Sequence, residues 1–394
     1  MCFIQQQASK QKFWQKFYTY IPSLLLCYFI PSILNTLGII SGEDSSLYSV
    51  ASRYLLPASL VLLTLSVDFK GILKLGPKAI IMFLTGTLGI VIGGPIAILI
   101  VSSFAPDIVG GVGPNAVWRG LTTIAGSWIG GGANQAAMYE VFGASPELFS
   151  SMIAVDVIVA NIWMAFLLYG AGNSEKWDKK LKADASAIEE LKSKIENYRL
   201  SITKTPSLTD TMIIFGVGFG ITGISHFGAD IITPFIEENA PYLDKFSLTS
   251  EFFWLIVIAT TLGLVLSFTP ARKLEGAGAS RIGSVLLYVL VATIGMQMDV
   301  LAIFTNPGFF LIGIIWILIH ITILLIVAKI IKAPFFFVAV GSQANIGGAA
   351  SAPIVASAFH PSLAPVGVLL AVLGYALGTY GAYICGLMMQ AIAP

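Results

Sequence analysis

Eleven apolar segments follow one another along this chain, at about 17–40, 52–68, 79–104, 118–142, 147–171, 209–234, 250–268, 281–298, 307–331, 334–358 and 362–390. Runs of roughly 20 apolar residues match the hydrocarbon thickness of a bilayer. In that solvent every backbone polar group must be paired inside the protein, so only helices and closed barrels span it. A barrel would alternate apolar and polar residues in short segments, and these runs do not alternate. Only 11% of the 394 residues are charged, against about 25% in an average soluble protein. The expected fold is an all-α integral membrane protein, a polytopic helical bundle in contact with the lipid bilayer.

A net charge of +1 gives no case for nucleic-acid binding. Cys2, Cys27 and Cys385 lie far apart and suggest neither a disulfide framework nor a metal site. Lys10, Lys12 and Lys16 precede the first apolar run, which is too long for a signal peptide's core and reads as an uncleaved helix. Signatures such as H-E-x-x-H, G-x-S-x-G and the Walker glycine loop are absent, so the chain does not read as an enzyme and calls for no cofactor.

The longest polar stretch, 173–207, divides the chain into a first membrane repeat (1–172) and a second (208–394, with one extra linking helix). Trp177, Leu181, Ile188, Leu191, Ile195 and Tyr198 fall on one face of this connector, as in a cytoplasmic amphipathic helix. A homodimer contact is the alternative use of that face.

Two segments resemble each other. Gly126–Met138 reads G-S-W-I-G-G-G-A-N-Q-A-A-M, and Gly341–Pro353 reads G-S-Q-A-N-I-G-G-A-A-S-A-P. An ungapped shift of 215 aligns Gly126 with Gly341, Ser127 with Ser342 and Gly132 with Gly347. If every segment crossed once, the two halves would run parallel. Charge argues otherwise, because Lys/Arg collect on the cytoplasmic side. Lys70, Lys74 and Lys78, the eight Lys/Arg of 173–207, Arg272, Lys273, Arg281, Lys329 and Lys332 share one side only if the fourth segment leaves by the face it entered. Glu43, Asp44, Glu237 and Glu238 then fall on the other side. That step makes the halves inverted repeats, each with one Gly-rich broken or re-entrant segment.

Consecutive glycines each cost a helix roughly 1 kcal/mol against alanine, so both segments are expected to break. A break at mid-membrane leaves N–H groups at one half-helix start and carbonyls at the other's end, which suit anions and cations respectively. Paired interruptions in the two halves of a repeat-built transporter point to its substrate site. The candidate substrate-binding residues are Ser127, Gly130, Gly131, Gly132, Asn134 and Gln135 in the first half. In the second they are Ser342, Gln343, Asn345, Gly347, Gly348 and Ser351. Pro353 is expected to help end the first limb of its helix. Tight helix packing is the competing explanation for the small residues.

Asp156, inside S-M-I-A-V-D-V-I-V-A-N-I-W-M, costs too much to face lipid. It is the candidate ion-coupling residue, with Asn161 on an adjacent face. Its ungapped counterpart is Ala371, so the site is expected to be asymmetric. Asp68 and Asp299 read as interfacial and His320 as hydrogen-bonded to a neighbour. Tyr375, Thr379 and Tyr380 line a cavity or pack.

The two Gly-Ser/Gly-Gly segments, the acidic turns with proline (65–77 and 294–307) and the basic joint resemble, over essentially the whole chain, the bacterial and plastid membrane protein family called domain of unknown function 819. More distantly, opposed interrupted helices are similar to those of the cation/proton antiporter, bile-acid symporter and glutamate symporter superfamily. In its antiporters an aspartate on the helix after the first broken helix handles the ion, and Asp156 occupies that place. Residue 155 is Val, so the antiporters' acidic pair is missing, and symport of an organic anion stays open. The expectation is a secondary active transporter of a small solute, coupled to H⁺ or Na⁺, in a bacterial cytoplasmic (inner) membrane. An ion channel and a non-transporting membrane protein are the alternatives.

Overall fold

The computed structural model describes residues 23–42, 45–183, 205–298, 301, 306–360 and 363–394. Lys10, Lys12, Lys16, Glu43, Asp44, Asp299 and the connector from 184 to 204 lie outside the described residues. The elements are α1 (Ser23–Thr36), α2 (Leu47–Leu65), α3 (Phe69–Lys74), α4 (Pro77–Ser102), α5 (Val117–Gly130), α6 (Gly132–Phe142), α7 (Pro146–Ala171) and α8 (Ser174–Leu181) in the first half. The second half has α9 (Leu208–Asn239), α10 (Glu251–Ser267), α11 (Ala279–Gly295), α12 (Gly308–Ile330), α13 (Phe335–Ile346), α14 (Gly348–Phe359) and α15 (Ala364–Ile392). Among the described residues every regular element is helical.

Six helices (α2, α4, α7, α9, α12 and α15) are long and apolar enough to cross a membrane. A seventh span arises if α10 is counted with the 3₁₀ turn Pro270–Ala277, bent from it by 94°. The eleven expected segments thus divide unequally. Those at 118–142 and 334–358 each fold as two short limbs, and α11 is shorter than a full crossing.

The packing forms two groups. In one, α2 lies against α9, α10 and α11, and α11 against α1. In the other, α5 and α15 pack on the short limb α6, and α5, α7, α13 and α15 on the short limb α14, with α4 against α12, α13 and α15; α6 also touches α2, α10 and α11 of the first group. Local chemistry explains a bend in the first group. Pro57 has no N–H to give Arg53, α2 passes through a π turn at Ala51–Leu55, and the Arg53 carbonyl pairs instead with His226 Nε2 of α9 at 2.9 Å.

The ends of the bundle differ in charge. Lys78 Nζ donates to the Lys332 carbonyl at 3.2 Å, Arg272 pairs with Asp68 at 3.0 Å, and the Phe335 N–H donates to Asp178 at 2.7 Å. These contacts bring the starts of α4 and α13, the end of α12 and α8 to one basic end. At the opposite end Arg53 meets Glu251, and Trp118, Arg119, Glu237, Asp244 and Lys245 line a cavity of about 540 Å³.

The short limbs make two hairpins. Residues 118 and 142 would stand about 36 Å apart in a continuous helix, yet the rings of Trp118 and Phe142 are 5.6 Å apart and Arg119 donates to the Phe142 carbonyl. Limbs α5 and α6 therefore leave and return at the end opposite the basic one. Residues 335 and 359 have the same separation in sequence, and the Phe335 and Phe359 rings lie 6.2 Å apart. Limbs α13 and α14 leave and return at the basic end.

Candidate functional site

Both hairpins break at glycine. Gly131, between α5 and α6, has φ +75° and ψ −174°, a region open essentially to glycine alone. In the second hairpin Gly347 caps α13, and Gly348 takes φ +56°. Pro353 sits inside α14, five residues past Gly348. The expectation that it ends the first limb is corrected, because the left-handed glycine turns the chain before the proline is reached. The two breaks approach each other through α15. The Tyr375 ring lies 3.6 Å from where a Cβ on Gly131 would stand, and a Cβ on Gly374 would stand 2.7 Å from the Ile129 carbonyl of α5 and 3.6 Å from the Ala344 carbonyl of α13.

Asp156 of α7 spans the first break. Trp128 Nε1–H of α5 donates to Oδ1 at 2.7 Å and Gln135 Nε2–H of α6 to Oδ2 at 2.9 Å. Its side chain is only 6% exposed. One carboxylate thus ties both limbs of the first hairpin to α7. Two turns along the same face of α7, Trp163 Nε1–H donates to Ser342 Oγ at 2.8 Å. Ser342 Oγ also lies 2.8 Å from His320 Nε2, and His320 Nδ1 lies 3.1 Å from the Gly86 carbonyl. A carbonyl only accepts, so Nδ1 carries the proton and Nε2 accepts from Ser342. The second hairpin is therefore fastened through neutral groups.

Asn134 and Asn345 form matching clamps. Asn134 Nδ2 donates to the Gly130 carbonyl of its own hairpin and to the Tyr375 carbonyl of α15, and its Oδ1 accepts from Thr379 at 2.6 Å. Asn345 Nδ2 donates to the Gly341 and Phe83 carbonyls, and its Oδ1 accepts from Thr87 at 2.7 Å. In both cases the threonine stands four residues beyond the second carbonyl. The correspondence pairs Gly130 with Gly341 and Asn134 with Asn345, a shift of 211 rather than 215. Glycine permits the close approach: a Cβ on Gly130 would stand 2.7 Å from Gly378 Cα, and one on Gly341 3.1 Å from the Phe83 backbone.

Most expected polar residues are thus brought together but already occupied. Asn134, Gln135, Ser342 and Asn345 hold the hairpins in place, and Ser127 is buried beside them. Gln343 and Ser351 differ. Gln343 Nε2 lies 2.6 Å from Ser351 Oγ, and its Oε1 is buried without a partner. Gly131, Gly132, Gly347 and Ser351 are partly exposed, and no atom lies within 4 Å of a Cβ built on Gly348. Asn161 donates to the Val157 carbonyl of its own helix and does not join the Asp156 cluster. Asp68 caps α3 and pairs with Arg272 at the basic end. The sequence reading did not single out Trp128, Trp163 or Thr87, since a membrane tryptophan or threonine reads equally as packing. The cavity beside Trp118 and Arg119 contains none of the expected site residues.

The profile of the family described as a protein of unknown function, DUF819, matches residues 3–392. The chain belongs to the DUF819 family. A relative by sequence, the "Uncharacterized membrane protein YjcL" of Bacillus subtilis (strain 168), is 24% identical over 368 residues, covering 88% of this chain and 85% of that protein. Membership of DUF819 agrees with the membrane-helical fold.

Proposed function

We propose that this DUF819 protein is a secondary active transporter of a small solute, working by alternating access in a bacterial cytoplasmic membrane with its basic end inside. The observation that carries the reading is the pair of glycine-broken hairpins. They rise from opposite ends and meet against Gly374 of α15, and one buried carboxylate grips both limbs of the first. Irregular backbone at membrane depth is tolerated where protein or a water-filled cavity covers it, and it supplies uncharged donors and acceptors to a solute. Opposite hairpin directions and the matching asparagine clamps support a description as inverted repeats. The group holding the hairpins would move against α1, α2, α9, α10 and α11.

Asp156 is the coupling residue in this mechanism. Ionised, it accepts from α5 and α6 together. A proton or Na⁺ arriving at the carboxylate competes with those N–H donors and loosens the tie across Gly131. Ion occupancy and the shape of the break are thereby linked. The test is flux in proteoliposomes under an imposed H⁺ or Na⁺ gradient. Solute-dependent ion movement is expected in the wild type and its loss in Asp156→Asn. Steady single-channel currents would favour a channel instead, and absence of movement under either gradient would end the transporter reading.

A further inference from the structure

Asp156 is gripped by two donors of different kinds. Trp128 of α5 offers an indole N–H, which can only donate. Gln135 of α6 offers a primary amide, with a donor at one end and an acceptor at the other. Gln135 is 2% exposed and Asp156 6%, so a change of charge on the carboxyl must be met inside the protein. Ionised, the carboxylate accepts from both. A proton turns one of its oxygens into a donor. The indole cannot accept, so it keeps Oδ1, and the proton falls to Oδ2, opposite Gln135. There the amide NH₂ would face an O–H. Half a turn about the last torsion of Gln135 brings its Oε1 to that place instead. The 2.9 Å between Gln135 Nε2 and Oδ2 is also a length at which an O–H donates to an oxygen, about 2.5–3.0 Å. The same two side chains thus satisfy both states of the carboxyl.

A sodium ion meets a different site. It takes several oxygens at once, and in broken-helix transporters unwound carbonyls supply them. The carbonyls at this break are in use. That of Ser127 accepts the Gly131 N–H at 2.8 Å, that of Gly131 the Gln135 N–H at 3.1 Å and that of Gly130 the Asn134 amide at 3.0 Å. The Trp128 ring stands 5.2 Å from the Trp316 ring, which makes that side of the carboxylate apolar. Among the described residues no Lys or Arg pairs with Asp156. On the elements packed against α7, Arg119 of α5 bonds the Phe142 carbonyl at the far end of its hairpin, and His320 of α12 is held between Ser342 and Gly86. Lys329 and the charged residues of α8 lie at the basic end, and α13 and α14 carry none. Tyr28 of α1 and Tyr139 of α6 meet the Phe149 ring, two turns before Asp156.

We propose that Gln135 sets the ion specificity of this site: its amide donates to ionised Asp156 and turns over to accept from the protonated form, so that the site takes a proton and not Na⁺. Coupling of that proton to a solute rests on the transporter reading; the titration does not. The step balances. One O–H bond forms on Oδ2, the carboxylate loses its charge, and the amide exchanges a donated hydrogen bond for an accepted one with no covalent change. Hydrogen bonds to an ionised group are roughly twice as strong as neutral ones, so the proton weakens the hold on both limbs. Only the bond to α6 must be remade the other way round. Gln135 stands in the first turn of α6 with its backbone N–H on the Gly131 carbonyl, so the reversal is made at the break itself.

The experiment follows the carboxyl by infrared difference spectroscopy on the full chain in nanodiscs, with buffered protons, Na⁺ and K⁺ as the probes. Acidification is expected to raise a protonated-carboxyl band that Asp156→Asn removes. With glutamine isotope-labelled at the side-chain carbonyl, an amide band should shift at the same pH in the wild type and stay still in Asp156→Asn. Replacing K⁺ by Na⁺ at constant ionic strength should change the apparent proton affinity by less than about twofold. Gln135→Leu removes a bond to the ionised form that is worth more than the neutral bond it also removes, so proton affinity should rise about tenfold. A Gln135 that merely fills space would leave it unchanged. A larger response to Na⁺, an amide band that ignores the titration, a Gln135→Leu affinity that stays or falls, or no titrating band from Asp156 would each overturn the proposal. The Na⁺ comparison needs only the wild type, so a variant that fails to fold leaves the test in place. Proteoliposomes separate the two readings. A titrating, Na⁺-blind carboxyl with no flux under either gradient sinks the transporter and spares the proton site. Solute flux driven by Na⁺ alone does the reverse.

Discussion

The two hairpins share a plan but differ in how they are held. The first is the more buried: every residue of α5 except Arg119 is buried, and α6 is buried from Ala133 to Tyr139, with Gly131 and Gly132 partly exposed at the break. One carboxylate, accepting an indole and an amide N–H, fastens it to α7. The second is fastened to α7 and α12 by a neutral indole–hydroxyl–imidazole chain, and one face of α14 is open. Charge and the deeper burial thus sit on one hairpin, and an open face on the other. Under the proposed mechanism the first hairpin senses the ion, and α7 touches both through Asp156 and Trp163.

The largest effect should follow from removing the charged tie. Asp156→Ala strands the buried N–H groups of Trp128 and Gln135. Each such loss costs about 1–3 kcal/mol, so thermal denaturation in detergent should show roughly 2–6 kcal/mol of destabilisation. Ser342→Ala in the second hairpin strands His320 Nε2 and a half-buried indole N–H, and should cost about 1–3 kcal/mol. Equal losses at the two sites would remove the distinction between a charged and a neutral fastening.

The breaks themselves give the next contrast. Gly131→Ala forces a side chain into a glycine-only backbone region, costing roughly 1–3 kcal/mol. Gly130→Ala adds a Cβ within 2.8 Å of the Gly374 carbonyl and should be worse still. Gly348 needs only a left-handed φ of +56° and has open space, so Gly348→Ala should cost about 1–2 kcal/mol and leave folding intact. A Gly348 variant as damaged as Gly131→Ala would mean that the second break is as tightly built as the first.

How much of this was legible in the sequence follows the same division. Glycine weakens a helix wherever it stands, so both breaks were readable. An acid in an apolar run must find partners, so Asp156 was readable too. What could not be read was which partners. Asn134 and Asn345 looked like substrate ligands, but they are used by carbonyls on α15 and α4, more than 240 positions away in each case. Nothing local to either asparagine encodes that pairing. The proline was misleading for a related reason. Pro353 is tolerated well inside α14 because Gly348 has already made the turn. The repeat register slipped by four, one helical turn, because Gly126 and Gly130 occupy the same face. Gly126 packs against the partner limb and Gly130 against α15.

Accessibility offers a gentler probe, one that need not disturb the fold. Cys27 and Cys385 are buried. Ser351→Cys should react with a membrane-impermeant maleimide added at the basic side, and Ala136→Cys, at 1% exposure, should not. Labelling of both at similar rates would show that the first hairpin is open as well.

The smallest expected effect lies at the base of the second hairpin, outside the membrane. Asp178 of α8 accepts the Phe335 N–H at the start of α13, while Trp177 stacks on the Phe335 ring at 5.2 Å. Burial raises the Asp178 carboxyl above the usual aspartate range, and the Phe335 N–H, which favours the ionised form, only partly offsets it. A raised folded-state value makes stability greatest at low pH, with the benefit lost as pH rises through that value. Asp178→Asn keeps an oxygen for the Phe335 N–H and removes the titration. The variant should therefore gain on the wild type as pH climbs above the usual aspartate range, with only a small difference in melting temperature at any one pH. A wild type that instead gains on the variant over that range would mean that the helix-start bond outweighs burial, and that the second hairpin is also fastened by charge.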